Sequence, residues 1–135
     1  LQAAIDWAEG ASNFNGGGEF NTIGKKAPIL FFPPGVYVVE GLDIKDGVKM
    51  IGSSGTMLRL KSGANDSLLK FSNVNGFHID SMVLDGNRDN NTSGHGIFTN
   101  YSNSDKRVIL GNLSNLFIQN FSEDGINFDS GISIN

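Results

Sequence analysis

The sequence predicts an all-β parallel solenoid, and three observations carry that prediction. First, Val74-Asn75-Gly76-Phe77-His78-Ile79-Asp80-Ser81-Met82-Val83-Leu84-Asp85-Gly86 returns 39 residues later. In that repeat Val74 falls on Leu113, Phe77 on Leu116, Ile79 on Ile118, Met82 on Phe121, and Asp85-Gly86 on Asp124-Gly125. A shorter echo, Asp46-Gly47-Val48-Lys49-Met50, lies 29 residues before Asn75-Gly76-Phe77-His78-Ile79. Second, the apolar runs are short and alternate with polar residues, as strands do. Third, bends of only one to three residues separate them. A unit this small cannot bury its apolar face alone, so it must stack on its neighbours.

The elements follow in order. Leu1, Ala4, Ile5 and Ala8 share one face at helical spacing, with Trp7 on its flank, and Gly10 closes the pattern. A short amphipathic helix before a solenoid covers the open edge of the first coil, with Trp7 as a cap or core residue. Ala11 to Ala27 has no period and reads as a surface loop. Ile29-Leu30-Phe31-Phe32 is a strand closed by Pro33-Pro34-Gly35, whose last two residues suit a type II turn. Val36 to Val39, Leu42 to Ile44, Val48 to Ile51 and Met57 to Leu60 continue the wall, with Leu58 and Leu60 inward. Leu68 to Phe71, the two long repeats, Ile97-Phe98, Val108 to Leu110, Ile126 to Phe128 and Ile132 to Ile134 complete it. Phe77, Ile79, Leu116 and Ile118 should share one core, with Val48 and Met50 in the coil beneath. Asp46-Gly47 and Asp85-Gly86 are the best evidence for the rival, an antiparallel barrel or sandwich with hairpins.

Residues 1–135 thus read as one partial domain: a capping helix over 1–10, a loop over 11–28, and roughly four to five coils over 29–135. The chain starts at Leu1 inside a helical pattern, and Ile132-Ser133-Ile134 reads as a wall strand with nothing to cover it. Both features suggest a segment of a longer chain. Net charge is −4 with no concentrated basic footprint beyond Lys25-Lys26, which argues against nucleic acid. No apolar run reaches membrane-spanning length, so no membrane insertion is expected. There is no cysteine, which removes disulfides and thiolate chemistry.

Leu1-Gln2-Ala3-Ala4-Ile5-Asp6, then Phe32-Pro33-Pro34-Gly35-Val36-Tyr37, then Gly47-Val48-Lys49-Met50-Ile51-Gly52 resembles the opening of the pectate-lyase-like proteins. Leu84-Asp85-Gly86-Asn87 followed by Gly94-His95-Gly96-Ile97 is similar to them as well. The resemblance implies a right-handed single-stranded parallel β-helix with an N-terminal capping helix. It also implies action on polysaccharide: its members include phage tailspike depolymerases, polysaccharide lyases, polygalacturonase-like hydrolases and uronate epimerases. The expected function is a polysaccharide hydrolase or lyase, secreted or on a virion surface, and a homotrimer if it is like the tailspikes. The alternative is a non-catalytic carbohydrate-binding or structural β-helix of a fibre or adhesin.

Four residues are candidates for chemistry. Gly94-His95-Gly96 is similar to the Gly-His-Gly of the polygalacturonase-like hydrolases, which makes His95 a catalytic candidate; the bland reading is a turn histidine. The repeat puts Asp85 and Asp124 on one face, with Glu123 beside them. Carboxylates one inter-strand spacing apart, about 4.8 Å, tend to share a proton, which makes a general acid. The bland reading is that each Asp-Gly marks a turn where aspartate caps its own backbone. Arg88 and Asp89 join the patch as substrate-binding candidates, with Asp80 upstream, and Arg88 as the offsetting cation. Loop-borne Tyr101 and Phe14 are candidates to stack on sugar rings, whereas strand aromatics such as Tyr37 and Phe98 read as core. Asp85, Asp89 and nearby asparagines offer oxygens of the kind calcium takes, but no spaced ligand motif supports a site. No metal or other cofactor is expected.

Overall fold

The computed structural model describes residues 1–12, 28–72, 74, 76–100, 109–128 and 133–134. The helix α1 spans Gln2–Ser12. Behind it come β1 (Ile29–Phe31), β2 (Gly35–Val39), β3 (Leu42–Ile44), β4 (Lys49–Ile51), β5 (Thr56–Leu60) and β6 (Leu69–Ser72). Then follow β7 (His78–Asp85), β8 (Ile97–Asn100), β9 (Ile109–Gln119), β10 (Ile126–Phe128) and β11 (Ser133–Ile134). The described residues are mostly β, and every strand pairing among them is parallel. The hairpin rival is thereby excluded, since Asp46-Gly47 and Asp85-Gly86 join strands that never pair with each other. Asp46-Gly47 is instead a tight corner, with Gly47 at φ 70° and the Val48 N–H donating to Lys45 O at 3.3 Å.

The pairings form three ladders. One runs β1, β4, the first half of β7, then β9; a second runs β2, β5, the second half of β7, then the end of β9. The third runs β3, β6, β8, β10. Two strands serve two ladders because each turns at one left-handed residue, Ser81 (φ 57°) in β7 and Asn115 (φ 50°) in β9. In each ladder the inward residues meet in one core that includes Val48, Met50, Leu58, Leu60, Phe71, Phe77, Ile79 and Leu84. Leu116 and Ile118 are partly buried and pack against it, so the expected inward set does point into a single core.

The long repeat, however, is out of register by five residues. Met50 does lie beside Ile79, as the 29-residue echo requires. Yet Ile79 pairs with Leu113, Met82 with Leu116 and Leu84 with Ile118, an offset of 34 rather than 39 residues. The cause is local. Phe77-His78-Ile79 and Leu116-Phe117-Ile118 both alternate in-out-in, and alternation alone does not choose between registers. The left-handed Ser81 and Asn115 do choose, because a corner must sit over a corner.

At the amino end α1 continues through Gly10 to Ser12, a modest propensity cost that a docked helix absorbs. Ile5 and Ala8 are buried against the strands, while Trp7 is 63% exposed and so is no core residue. Capping is done by Gln2. Its side-chain amide donates to Asp43 O at 3.0 Å and its carbonyl accepts the Asp43 N–H at 2.9 Å. One carboxamide thus stands in for the missing neighbour of edge strand β3. Pro34-Gly35 is also different from expectation. Gly35 has φ 152°, far from the roughly 80° of a type II turn, and its N–H donates to Gly55 O at 3.0 Å to begin the β2–β5 ladder.

Candidate functional site

The sequence-predicted acidic patch divides into two sets on different ladders. Asp85 ends β7, where it pairs in register with Arg59 of β5 and Gln119 of β9. The residue beside it is therefore Gln119, and Asp124 lies elsewhere; the expected stack of Asp85 on Asp124 fails with the 39-residue register. Asp85 is only 2% exposed yet fully engaged. Its Oδ2 accepts from Arg59 Nη2 at 3.1 Å and from Gln119 Nε2 at 3.2 Å, and its Oδ1 accepts the Asn87 N–H at 2.8 Å. Burial pushes the carboxyl up, but the Asn87 amide, Arg59 and Gln119 together outweigh burial and hold it below the usual carboxylate range. Asp85 is thus an ionised acceptor and not a proton donor. The backbone-capping reading of Asp-Gly holds here, with an ion pair added.

The offsetting cation is Arg59, which the sequence reading missed, rather than Arg88. Arg88 and Asp89 sit on a 3₁₀ turn at Arg88–Asn90 and are exposed. With Arg59, Asp85, Asn87 and Asn120 they line a cleft of about 270 Å³. Asp80, the other upstream carboxylate, belongs to the Asn115 corner. Asn115 Nδ2 and Ser114 Oγ each donate to its Oδ1 at 2.8 Å, and these bonds, Asn115 first, hold it below the usual range.

A linkage prediction follows for Asp85. Its folded pKa is depressed, so its stabilisation is fully present above the unfolded carboxylate value near pH 4 and is lost as pH falls through the folded pKa. Asp85→Asn keeps an acceptor for Asn87 but turns an amide toward Arg59 or Gln119. It should cost about 2 kcal/mol at neutral pH, with the gap from wild type closing at acid pH. Urea titrations at pH 7 and pH 3 measure both; an equal gap at the two values would show that the charge contributes nothing.

The second set gathers at the corner before β8. Gly94 is at φ 112°, a conformation that side chains rarely adopt, and an added Cβ would lie 2.0 Å from Asp66 O. Only glycine lets the chain pass so close, and it delivers His95 to the outer face. The imidazole stacks on Phe98, with centroids 5.4 Å apart and planes 11° from parallel. The Asp124 N–H donates to Nδ1 at 3.1 Å. That places the proton of the neutral ring on Nε2, which faces Glu123 Oε2 at 3.5 Å. Nδ1 also lies 3.7 Å from Asp124 Oδ2, but a nitrogen accepting an amide hydrogen cannot donate to that oxygen, so the amide bond is the one that holds. Glu123 is fixed in turn by the Gly94 N–H, which donates to Oε2 at 2.8 Å, and Asn127 Nδ2 donates to Asp124 Oδ2 at 3.1 Å.

The neighbouring outward column is Asp43, Lys70, Phe98 and Asn127, one residue from each strand of the third ladder. Lys70 Nζ lies 2.7 Å from Asp66 Oδ2 and 3.6 Å from Asp43 Oδ1. Burial pulls its pKa down, but the two aspartates more than offset that and keep it cationic. Histidine, carboxylate, lysine and an aromatic ring thus share one accessible corner, a set able to hold and move a proton beside a flat apolar surface. Phe98 is outward and half-buried, not core. Lys70 was also missed, although Leu69-Lys70-Phe71 alternates and so announces an outward lysine. Tyr101 and Phe14 lie outside the described residues. Among the described residues no three His, Asp or Glu side chains are grouped to hold a metal ion, and no helix is long and apolar enough to cross a membrane.

No family model matches the sequence, and no curated protein matches it either. Among solved structures, the chain is similar to the A-module of the Azotobacter vinelandii mannuronan C-5 epimerase AlgE4. The TM-score is 0.54 at 24% identity, over 86% of this chain and 36% of that one. The chain therefore spans about a third of the length of the module it matches. The likeness is one of fold: a mostly β architecture of parallel strands with one short helix.

Proposed function

We propose that the three ladders are the faces of a right-handed single-stranded parallel β-helix, and that the protein acts on polysaccharide at the His95 corner. The observation that carries this reading is His95 stacked on Phe98 and held between Glu123 and Asp124. A pyranose ring offers an apolar C–H face to an aromatic surface, while its hydroxyls and glycosidic oxygen present protons to a fixed acid–base group. Phe98 supplies the surface, and Nε2 of His95, oriented by the Asp124 amide and facing Glu123, supplies the proton site. Likeness to a module named as a mannuronan epimerase supports polysaccharide as the ligand class. A polymer does not cross a membrane readily, which favours an extracellular or virion-surface location; the tailspike version of this reading adds a homotrimer.

A non-catalytic, carbohydrate-binding version is favoured by one observation: Asp85, the most buried of the carboxylates considered for catalysis, is held ionised and has no proton to give. The two versions separate in one experiment. The chain is incubated with neutral polymers and with polyuronates such as mannuronan and polygalacturonate, and reducing ends, unsaturated uronate absorbance and uronate NMR are followed. The catalytic version expects turnover that His95→Gln lowers about 100-fold or more with binding retained. Binding without turnover supports the second version, and neither binding nor turnover on any polymer sinks both.

A further inference from the structure

A separate surface lies on the second ladder. Its outward side chains stack pass on pass into two columns. One is apolar: Val36 lies beside Met57, Met57 beside Val83, and Val83 beside Phe117. The other is polar along most of its length: Val38, Arg59, Asp85 and Gln119. Phe117 is 62% exposed and Val36 56%. A trough of about 370 Å³ lies at the Val83–Phe117 end of the apolar column, lined also by Ser53, Ser54, Ser81 and Asn115. The 270 Å³ cleft at Asp85 flanks the polar column.

An apolar strip with hydroxyls and amides along one side and a charged column along the other is amphipathic across its width, and it repeats every inter-strand spacing, about 4.8 Å. The core of a protein–protein interface is depleted in charge, whereas this strip is flanked along its length by the column that holds the Arg59–Asp85 ion pair. The charges of the cleft also cancel, with Arg59 and Arg88 against Asp85 and Asp89. A polyanion gains no net attraction there. A neutral glycan fits both columns: ring faces of C–H groups on Phe117, Val83 and Met57, and edge hydroxyls on the Ser, Asn and Gln side chains.

The geometry points to a second polysaccharide-binding surface on this ladder, distinct from the His95 corner, that takes uncharged pyranose segments laid across the stacked passes. It rests on the polysaccharide reading and places a ligand on another face. The test is affinity electrophoresis in gels containing hydroxyethyl cellulose, galactomannan, mannuronan or polygalacturonate, with Phe117→Ala and Val36→Ser beside the wild type. Both side chains are more than half exposed, so thermal melts should coincide with wild type. Retardation by a neutral polymer is expected, with Phe117→Ala weakening it about 5- to 10-fold and Val36→Ser by less. If Phe117→Ala binds as wild type does, this surface is not the site, although the polysaccharide reading stands. Lack of retardation by every polymer removes both. A change of sedimentation mass in Phe117→Ala with unchanged gel mobility makes the face a contact between copies and overturns the proposal.

Discussion

Gly111→Ala is expected to lower folding stability by about 3 kcal/mol, at the upper end of what overpacking a core costs. A Cβ at this position would lie 1.9 Å from Phe77 Cζ and 2.2 Å from Cε1. The Phe77 ring has nowhere to retreat. It is 2% exposed and lies against Phe71, with centroids 4.6 Å apart at 52°. The ring fills the space that a side chain at 111 would claim, so glycine and phenylalanine form one packing unit across two passes. Phe77→Leu alone should also destabilise, because it leaves a void beneath Gly111. In the Gly111→Ala background the same change should give back stability, a favourable coupling of roughly 1–2 kcal/mol in a double-mutant cycle. Strict additivity in urea titrations would mean that the two positions do not share that space.

Gly94→Ala should be at least as damaging, by about 3–4 kcal/mol, since two penalties add: a left-handed backbone that alanine resists and a backbone oxygen that cannot move aside. Its second consequence concerns chemistry. The Gly94 N–H that fixes Glu123 would shift, and with it the carboxylate facing His95. In the variant the His95 ring resonances should move, even at temperatures where the fold survives. A folded Gly94→Ala protein with an unchanged His95 spectrum would show that this corner is not held by the close approach.

Much of the architecture was legible because the strands are short and their corners use residues that tolerate left-handed backbone. Asp46-Gly47, Ser53-Ser54-Gly55 and the polar stretch 62–67 are all corners, and the helix at the amino end does pack over the first pass. Register was less legible. The apolar alternation of 77–79 fits 113–118 in more than one way. Of the decisive corners one is a serine, which rarely takes left-handed backbone, and the other an asparagine, which takes it readily but is common along this chain. The site suffered from the same error. With 39 residues as the period, Asp85 meets Asp124; with the true offsets of 26 and 34 it meets Arg59 and Gln119. Arg59 stood in plain view between inward Leu58 and Leu60, but only a correct register pairs it with Asp85. His95 was found for a resemblance of three residues. What holds it in place is partly local, the face of Phe98 three residues on. The other part is an amide from Asp124, which comes from chain folded back across the ladder and leaves no local trace.

The unequal passes have a consequence for how such a chain can change over generations. Four residues, Gly52 to Gly55, turn the corner between β4 and β5, while Ser81 or Asn115 alone turns the corresponding corner above. The ladders on either side are indifferent to the difference, since each strand reads only the strand below it. Length can therefore drift at the rim while the wall stays constant. Insertions and deletions, which would wreck a hairpin by flipping its faces, become a source of new surface here. Lineages carrying this framework can lengthen a corner into a recognition loop one residue at a time, without passing through an unfolded intermediate.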